Sequence, residues 1–266
     1  MAVEATPERW RRYDRRERLS RFFALLGTLI VVVLAWNALE MRYTYLWDAH
    51  DQLYDMFGRM TPPDVASSPE LVGPLIESVH IAVLGTGFGV LMSIPVAYIA
   101  AENTARNRLV NGFGKFVIVA ARSVDVIIWV LVLVVLFGPG PLVSIIALSF
   151  RSIGFIGKLL AEAIEEIDPA QVRAVAGTGA GRIQAVAYEI VPQIKPAFIS
   201  IVTYRWDSNV RSATIVGLVG GGGIGEALQA SMSVYAWREV SMVLLIILGV
   251  VLFSEWISSF FREKIR

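Results

Sequence analysis

A run of ionisable and amide side chains stands where the chain is otherwise apolar. Tyr204-Arg205-Trp206-Asp207-Ser208-Asn209-Val210-Arg211-Ser212-Ala213-Thr214 lies inside a hydrophobic stretch from about Pro196 to Val219. A charge at the centre of a membrane span costs about 2.5 to 3.5 kcal/mol even on lenient insertion scales, so these side chains are expected to face a bundle interior or a wet cavity. On a helix Arg205 and Asp207 diverge, whereas Arg205 with Asn209, and Asp207 with Arg211, are four apart and share a face. Asp207 and Arg211 can therefore satisfy each other. The planar fork of an arginine suits an oxyanion such as phosphate or phosphonate. Two readings stand side by side: Arg205, Asp207, Asn209, Arg211, Ser212 and Thr214 line a substrate pathway, or they mainly hold helices and gates together. Arg122, Asp125, Arg151 and Lys158 are further charges in apolar runs and fall under the same rule.

Covalent chemistry has no comparable candidates. The two histidines, His50 and His80, are isolated, no nucleophile stands beside a base, and cysteine is absent, which excludes disulfides, thiolate metal sites and iron–sulfur clusters. No catalytic residue and no metal site are expected. The glycine run Gly217-Leu218-Val219-Gly220-Gly221-Gly222-Gly223-Ile224-Gly225 lacks both the Gly-Lys-Ser/Thr ending and the preceding strand of a phosphate loop. It is read as a flexible turn on the outer face.

A second polar segment breaks the apolar pattern between about 163 and 192. Asp168 can cap a helix that begins at Pro169, with Gln171 completing a capping box. Gly177 and Gly179 then interrupt it, and a second helical stretch from about Arg182 to Glu189 is expected to end at Pro192. Two short helices joined by a glycine turn make a compact knob suited to docking.

The elements that must position these residues follow from hydropathy. The 266 residues are 55% hydrophobic and 18% charged, with a mean hydropathy of +0.60; that balance fits a polytopic membrane protein. Apolar runs of about 20 residues, enough to cross ~30 Å of hydrocarbon at ~1.5 Å per residue, occur six times. They are 22–36, 75–101, 114–137, 142–163, 196–219 and 240–261. The second carries Gly85, Gly87 and Gly89, expected to let helices approach closely. The first run is long for a signal peptide and has no small-x-small cleavage site, so it reads as a retained span.

Charge sets the orientation. Seven arginines crowd the first 21 residues, and Arg106, Arg108 and Lys115 follow the second span, whereas 37–74 holds two arginines against six carboxylates. By the positive-inside tendency both termini and the 163–192 segment lie in the cytoplasm. The basic tail directly precedes a span, which favours topology over nucleic-acid binding. The expected organisation is a basic tail, 1–21, followed by one all-α membrane domain, 22–266. An ion-coupled secondary transporter or channel, with the intramembrane charges as its ion site, is the competing class.

Arg173-Ala174-Val175, Gly179 and Val191-Pro192 resemble the EAA motif by which permeases of ABC importers engage their ATPase subunits, with Arg173 where the family has glutamate. Ser152-Ile153-Gly154-Phe155-Ile156-Gly157-Lys158-Leu159 with Glu162-Ala163-Ile164-Glu165, and Tyr204 to Gly217, are similar to segments of the phosphonate-type importer permeases. The likeness covers roughly Pro74 to Arg262. It implies a type I importer permease fold with six transmembrane helices and a cytoplasmic coupling loop, in a bacterial plasma membrane. It also implies ATPase coupling through Arg173, Ala174, Gly179, Ala180, Arg182 and Pro192. The implied partners are a second permease copy, two cytoplasmic ATPase subunits that bind ATP and Mg, and an external substrate-binding protein. The implied cargo is phosphonate, phosphite or a related oxyanion, moved by alternating access with no cofactor in this chain.

Overall fold

The computed structural model describes residues 15–39, 43–168, 170–171, 181, 184 and 186–265. Among them every regular element is helical. The chain divides into two units at Met56 and Phe57.

The first unit contains α1, Arg15–Ala38, and most of α2, Thr44–Met60. Helix α1 exposes Phe22, Phe23, Leu25, Leu29 and Val31 around its circumference. A helix apolar on all sides has lipid as its natural solvent, and ~24 residues at ~1.5 Å each exceed the hydrocarbon thickness. In its last turn the Trp36 ring stacks on Tyr43, beyond the helix end, at 6.0 Å, and Trp36 Nε1 donates to the Tyr43 hydroxyl.

The second unit is a bundle of α3, Ser68–Ala100; α4, Arg108–Ser123; α5, Val126–Phe137; α6, Pro141–Glu165; α7, Val191–Val216; α8, Ile224–Ser233; and α9, Trp237–Ile265. Its axis is the α3–α6 pair. A Cβ added to Gly85 would stand 2.8 Å from Leu148 Cβ, and one on Gly89 would stand 2.3 Å from Ser152 Cβ. Four residues apart, these two glycines share the face on which the helices meet, and their small size permits the approach. Gly87 meets nothing within 4 Å, so the packing role expected of it falls to its neighbours only. One apolar core joins α3, α5, α6 and α7 through Ile81, Val130, Leu148, Ala213 and Val216. A second, with Ala97, Ile118, Leu160, Ile164 and Ile190, closes the end from which 166–190 departs. A third, with Leu71, Ile224, Leu228 and Val243, closes the opposite end.

Among the described residues four helices are long and apolar enough to cross a membrane, and α4 with α5 make a fifth if the bent pair is one span. Helix α7 has the length, 26 residues, but its charges interrupt the apolar window. The third run, expected as one helix over 114–137, bends by 87° between Ser123 and Val126. Asp125 explains the break: its carboxylate caps α5 by accepting from the Ile127 N–H at 3.1 Å, and its other oxygen receives Arg151 Nη1 at 2.5 Å. An aspartate that offers the backbone an alternative acceptor favours a helix start over a helix interior.

Two further expectations are corrected. Pro192 does not end a helix; it lies in the first turn of α7, which follows directly on a π-helical turn at Val186–Ile190. Proline has no N–H to give to a carbonyl of the preceding turn, so it stands where the helical hydrogen-bond pattern changes from π to α. The glycine turn is not loose. Gly220, Gly222 and Gly223 have φ of 88°, 77° and 75°, values that a side chain disfavours. A Cβ on Gly221 would stand 2.1 Å from Ser144 Oγ. The turn is clamped by Ser144 Oγ donating to Gly221 O at 2.7 Å, by Ile224 N–H donating to Ser78 Oγ at 2.8 Å, and by Gly140 N–H donating to Gly220 O at 2.9 Å. It leads into α8, a helix that hydropathy did not announce.

Candidate functional site

The polar run of α7 separates into two groups because residues four apart share a face. Arg205 and Asn209 point into the bundle, 3% and 0% exposed. Both reach Ser152 on α6: Arg205 Nε donates to its Oγ at 2.8 Å and Asn209 Nδ2 at 3.2 Å. The second Nδ2 proton of Asn209 goes to Thr86 Oγ1 on α3 at 2.9 Å. The two hydroxyls have already committed their own protons, Ser152 to Leu148 O at 2.6 Å and Thr86 to Ala82 O at 2.7 Å. They can therefore only accept from Asn209, which determines the orientation of its amide. Gly89 lets α3 lie against Ser152 closely enough for one asparagine to bridge both helices.

This cluster is incompletely satisfied. Arg205 Nη2 and Asn209 Oδ1 are buried with no hydrogen-bond partner. The guanidinium carbon sits 5.7 Å from the centre of the Phe155 ring, and that ring stacks on Tyr204 at 5.4 Å. An aromatic face compensates part of a desolvated positive charge, yet among the described residues no carboxylate pairs with Arg205. A cation held this way keeps an N–H available for an anion. An apolar groove of about 660 Å³, bordered by Val90, Val202, Trp206 and Ile257, reaches the cluster at Thr86.

Asp207 and Arg211 form the second group. Their Oδ2 and Nη2 lie 2.7 Å apart, with the aspartate side chain 10% exposed and the arginine 44%. Ser254 Oγ on α9 adds a long hydrogen bond to Asp207 Oδ1 at 3.4 Å. The pairing read from the i,i+4 spacing is thus present, and Arg211 reaches the bundle surface. Thr214 is buried and turns back on its own helix, donating to Arg211 O at 2.7 Å; Ser212 is half-buried.

Of the residues expected to couple to an ATPase, Arg173, Ala174, Gly179, Ala180 and Arg182 lie outside the described residues, and Pro192 opens α7. Asp168 does act as a cap, accepting from the Ala170 N–H at 2.8 Å. Its own N–H, however, is received by Gln193 Oε1 at 3.0 Å, the place a capping box would have assigned to Gln171. Ser152, Thr86 and Phe155 are the contacts that sequence reasoning passed over as individual site residues. The available signal was a hydroxyl next to a small residue inside an apolar run, at Thr86 beside Gly85 and at Ser152 near Gly154. Among the described residues no group of three or more histidines, cysteines or carboxylates is placed to hold a metal ion.

Comparison with known proteins agrees with this architecture. Residues 93–266 match the model of a family described as the binding-protein-dependent transport system inner membrane component. The chain is 33% identical over 263 residues to the phosphite transport system permease protein PtxC of Stutzerimonas stutzeri, covering 95% of this chain and 96% of that one. It is 36% identical over 228 residues to the phosphate-import permease protein PhnE of Mycolicibacterium smegmatis, covering 84% of this chain and 42% of the relative. Among solved structures, an inward-facing form of the MetNI methionine ABC transporter superposes with a TM-score of 0.65 at 19% identity, over 76% of this chain and 99% of that one; at that identity the likeness concerns the fold. With a bundle of membrane-length helices, a charged seam on α7 and a family match over most of its length, the chain belongs to the binding-protein-dependent transport system inner membrane components.

Proposed function

We propose that the chain is the membrane-spanning subunit of an ATP-driven importer for phosphite, phosphonate or a related phosphorus oxyanion, working by alternating access. The observation that carries the cargo class is Arg205: a buried guanidinium with no carboxylate partner among the described residues and an unmatched Nη2, in a chain similar end to end to a phosphite permease. Arg205, Asn209, Arg211, Ser212 and Thr214 contribute to the substrate pathway, and Asp207 orients Arg211. Both termini and the 163–192 segment face the cytoplasm, after a basic tail at 1–21. There Arg173, Ala174, Gly179, Ala180, Arg182 and Pro192 engage two ATPase subunits, which bind ATP and Mg. A second permease, identical or related, completes the pore, and an extracytoplasmic binding protein delivers the cargo. When the ATPase pair closes, the loop moves with it and the spans open outward; hydrolysis reverses the motion. An ion-coupled carrier would need no such loop, and the resemblance to importer permeases favours the lever.

The test is reconstitution of the chain with its ATPase and binding protein in proteoliposomes. Phosphite uptake should require ATP, and Arg205→Gln should abolish uptake while assembly and ATP hydrolysis persist. Uptake driven by an ion gradient without the ATPase would overturn this reading.

A further inference from the structure

A second cationic site lies away from the polar seam of α7. A cavity of about 630 Å³ opens between α4 and α6, running from Ala100 and Glu165 at the helix ends to Arg122. Arg122 packs beside Gly154, about halfway along α6. Three cations border the cavity, Lys115, Arg122 and Lys158, with Glu162 and Glu165 among them. The carboxylates are not shared evenly. Lys115 Nζ is held by Glu102 at 2.6 Å, and Glu165 accepts the Glu102 N–H at 2.8 Å. Lys158 has a loose partner, Glu162, at 3.5 Å, both about half exposed. Arg122 has no ion-pair partner among the described residues.

The position of Arg122 is built into the packing. A Cβ on Gly154 would stand 2.5 Å from Arg122 Cγ and 3.0 Å from Ile118 O, so the absence of a side chain there lets the arginine stem lie flat on α6. Its guanidinium is thereby delivered to the same cavity as Lys158, one helical turn beyond Gly154. A planar fork beside a point cation is the arrangement that holds a tetrahedral oxyanion. The adjoining wall is apolar at Ile118 and Val119.

We propose that this cavity binds a phosphorus oxyanion group, gripped by the Arg122 fork, with Lys158 exchanging Glu162 for the anion and Lys115 standing beside it. Two sources share that chemistry. The headgroup of an anionic phospholipid would place its glycerol and chain against Val119; the free oxyanion would be cargo between the buried arginine and the loop end, and this source alone rests on the proposed function.

The chain contains no cysteine, so Val119→Cys, at a position 64% exposed on the cavity wall, carries a single bimane reporter. The full-length labelled protein is placed in neutral phosphatidylcholine nanodiscs and titrated with phosphite and with inorganic phosphate; a parallel series of discs contains increasing phosphatidylglycerol. A saturable bimane response is expected, weakened about tenfold by Arg122→Gln and less by Arg122→Lys. Lys158→Gln supplies an independent variant, expected to weaken the response as well. Response to phosphatidylglycerol alone assigns a lipid site, and response to phosphite alone assigns a cargo site. No response to any probe overturns the proposal, as does an undiminished response in folded Arg122→Gln or Lys158→Gln. Loss of the cargo reading through failed phosphite uptake leaves the phosphatidylglycerol series unaffected, so the two failures are distinguishable.

Discussion

Two polar pairs sit half a turn apart on α7 and are satisfied in opposite ways. Asp207 and Arg211 complete each other on one helix, at 2.7 Å, with the arginine half in the open. Arg205 and Asn209 share no hydrogen bond; each is held through Ser152 on α6, and Asn209 also through Thr86 on α3. The first pair survives any arrangement of the bundle that leaves α7 helical. The second exists only while α3, α6 and α7 hold their present contacts, and even then it leaves Arg205 Nη2 and Asn209 Oδ1 unmatched. A seam of this kind can respond to a rearrangement of helices, which is what alternating access demands; a self-contained pair cannot.

The largest effect is expected at the shared hydroxyl. Ser152→Ala leaves Arg205 Nε and one Asn209 proton buried without an acceptor, at about 1 to 3 kcal/mol for each orphaned group. Thermal unfolding of the detergent-solubilised protein should show a large loss, and adding Arg205→Met should restore most of it by removing the charge that lost its partner. If the double variant is no more stable than Ser152→Ala alone, the hydroxyl matters for α3–α6 packing and the contrast drawn here fails.

A smaller effect is expected from Arg211→Gln. It orphans a mostly buried Asp207, but the site opens to the surface and Ser254 still donates, so a loss of about 1 to 3 kcal/mol is expected. The double change Asp207→Asn with Arg211→Gln should recover stability, and a double-mutant cycle measures the coupling. In the importer, uptake by that double variant separates the two roles of Arg211: full recovery restricts it to pairing, and uptake that stays low assigns it to the cargo.

The smallest effect concerns the loop end. The Glu102 carboxyl is held below its ordinary value, first by the hydrogen bond from Lys115 Nζ and then by that ammonium's charge. A carboxylate with a depressed folded pKa contributes its stabilisation above the unfolded value, about 4.3, and loses it as the pH falls through the lowered folded value. The pair is exposed, with side chains 48% and 73% accessible, so the contribution to stability is small. Carbon-13 titration of Glu102 should give a midpoint below that of an ordinary glutamate, rising towards it in Lys115→Met. An unchanged midpoint in that variant would deny Lys115 the role of partner.

How much was readable in advance depended on sequence distance. Gly85 and Gly89 were legible as packing residues because closely spaced glycines in an apolar run have few other uses; that Gly87 would stand idle followed from which face α6 occupied. The Asp207–Arg211 pair was legible because helical geometry alone brings residues four apart together. The break at Asp125 was not, since its partner Arg151 is 26 residues away and the apolar run continues on both sides. The glycine run was recognisable as a turn, but its rigidity comes from Ser78 and Ser144, on two helices far earlier in the chain.

The sequence by itself determined that this protein belongs in a membrane, where its long apolar runs lie, which charges interrupt them and which of those can pair along one helix. Each follows from composition and from the 3.6-residue period, properties local to a segment. Tertiary structure decided where the charges are answered: that Ser152 accepts from both Arg205 and Asn209, that Gly154 makes room for the stem of Arg122, and that one apolar run becomes two helices at Asp125. Hydrogen bonds and close contacts have a reach of a few ångströms, so only the packing of α3, α4, α6 and α7 brings such partners within range.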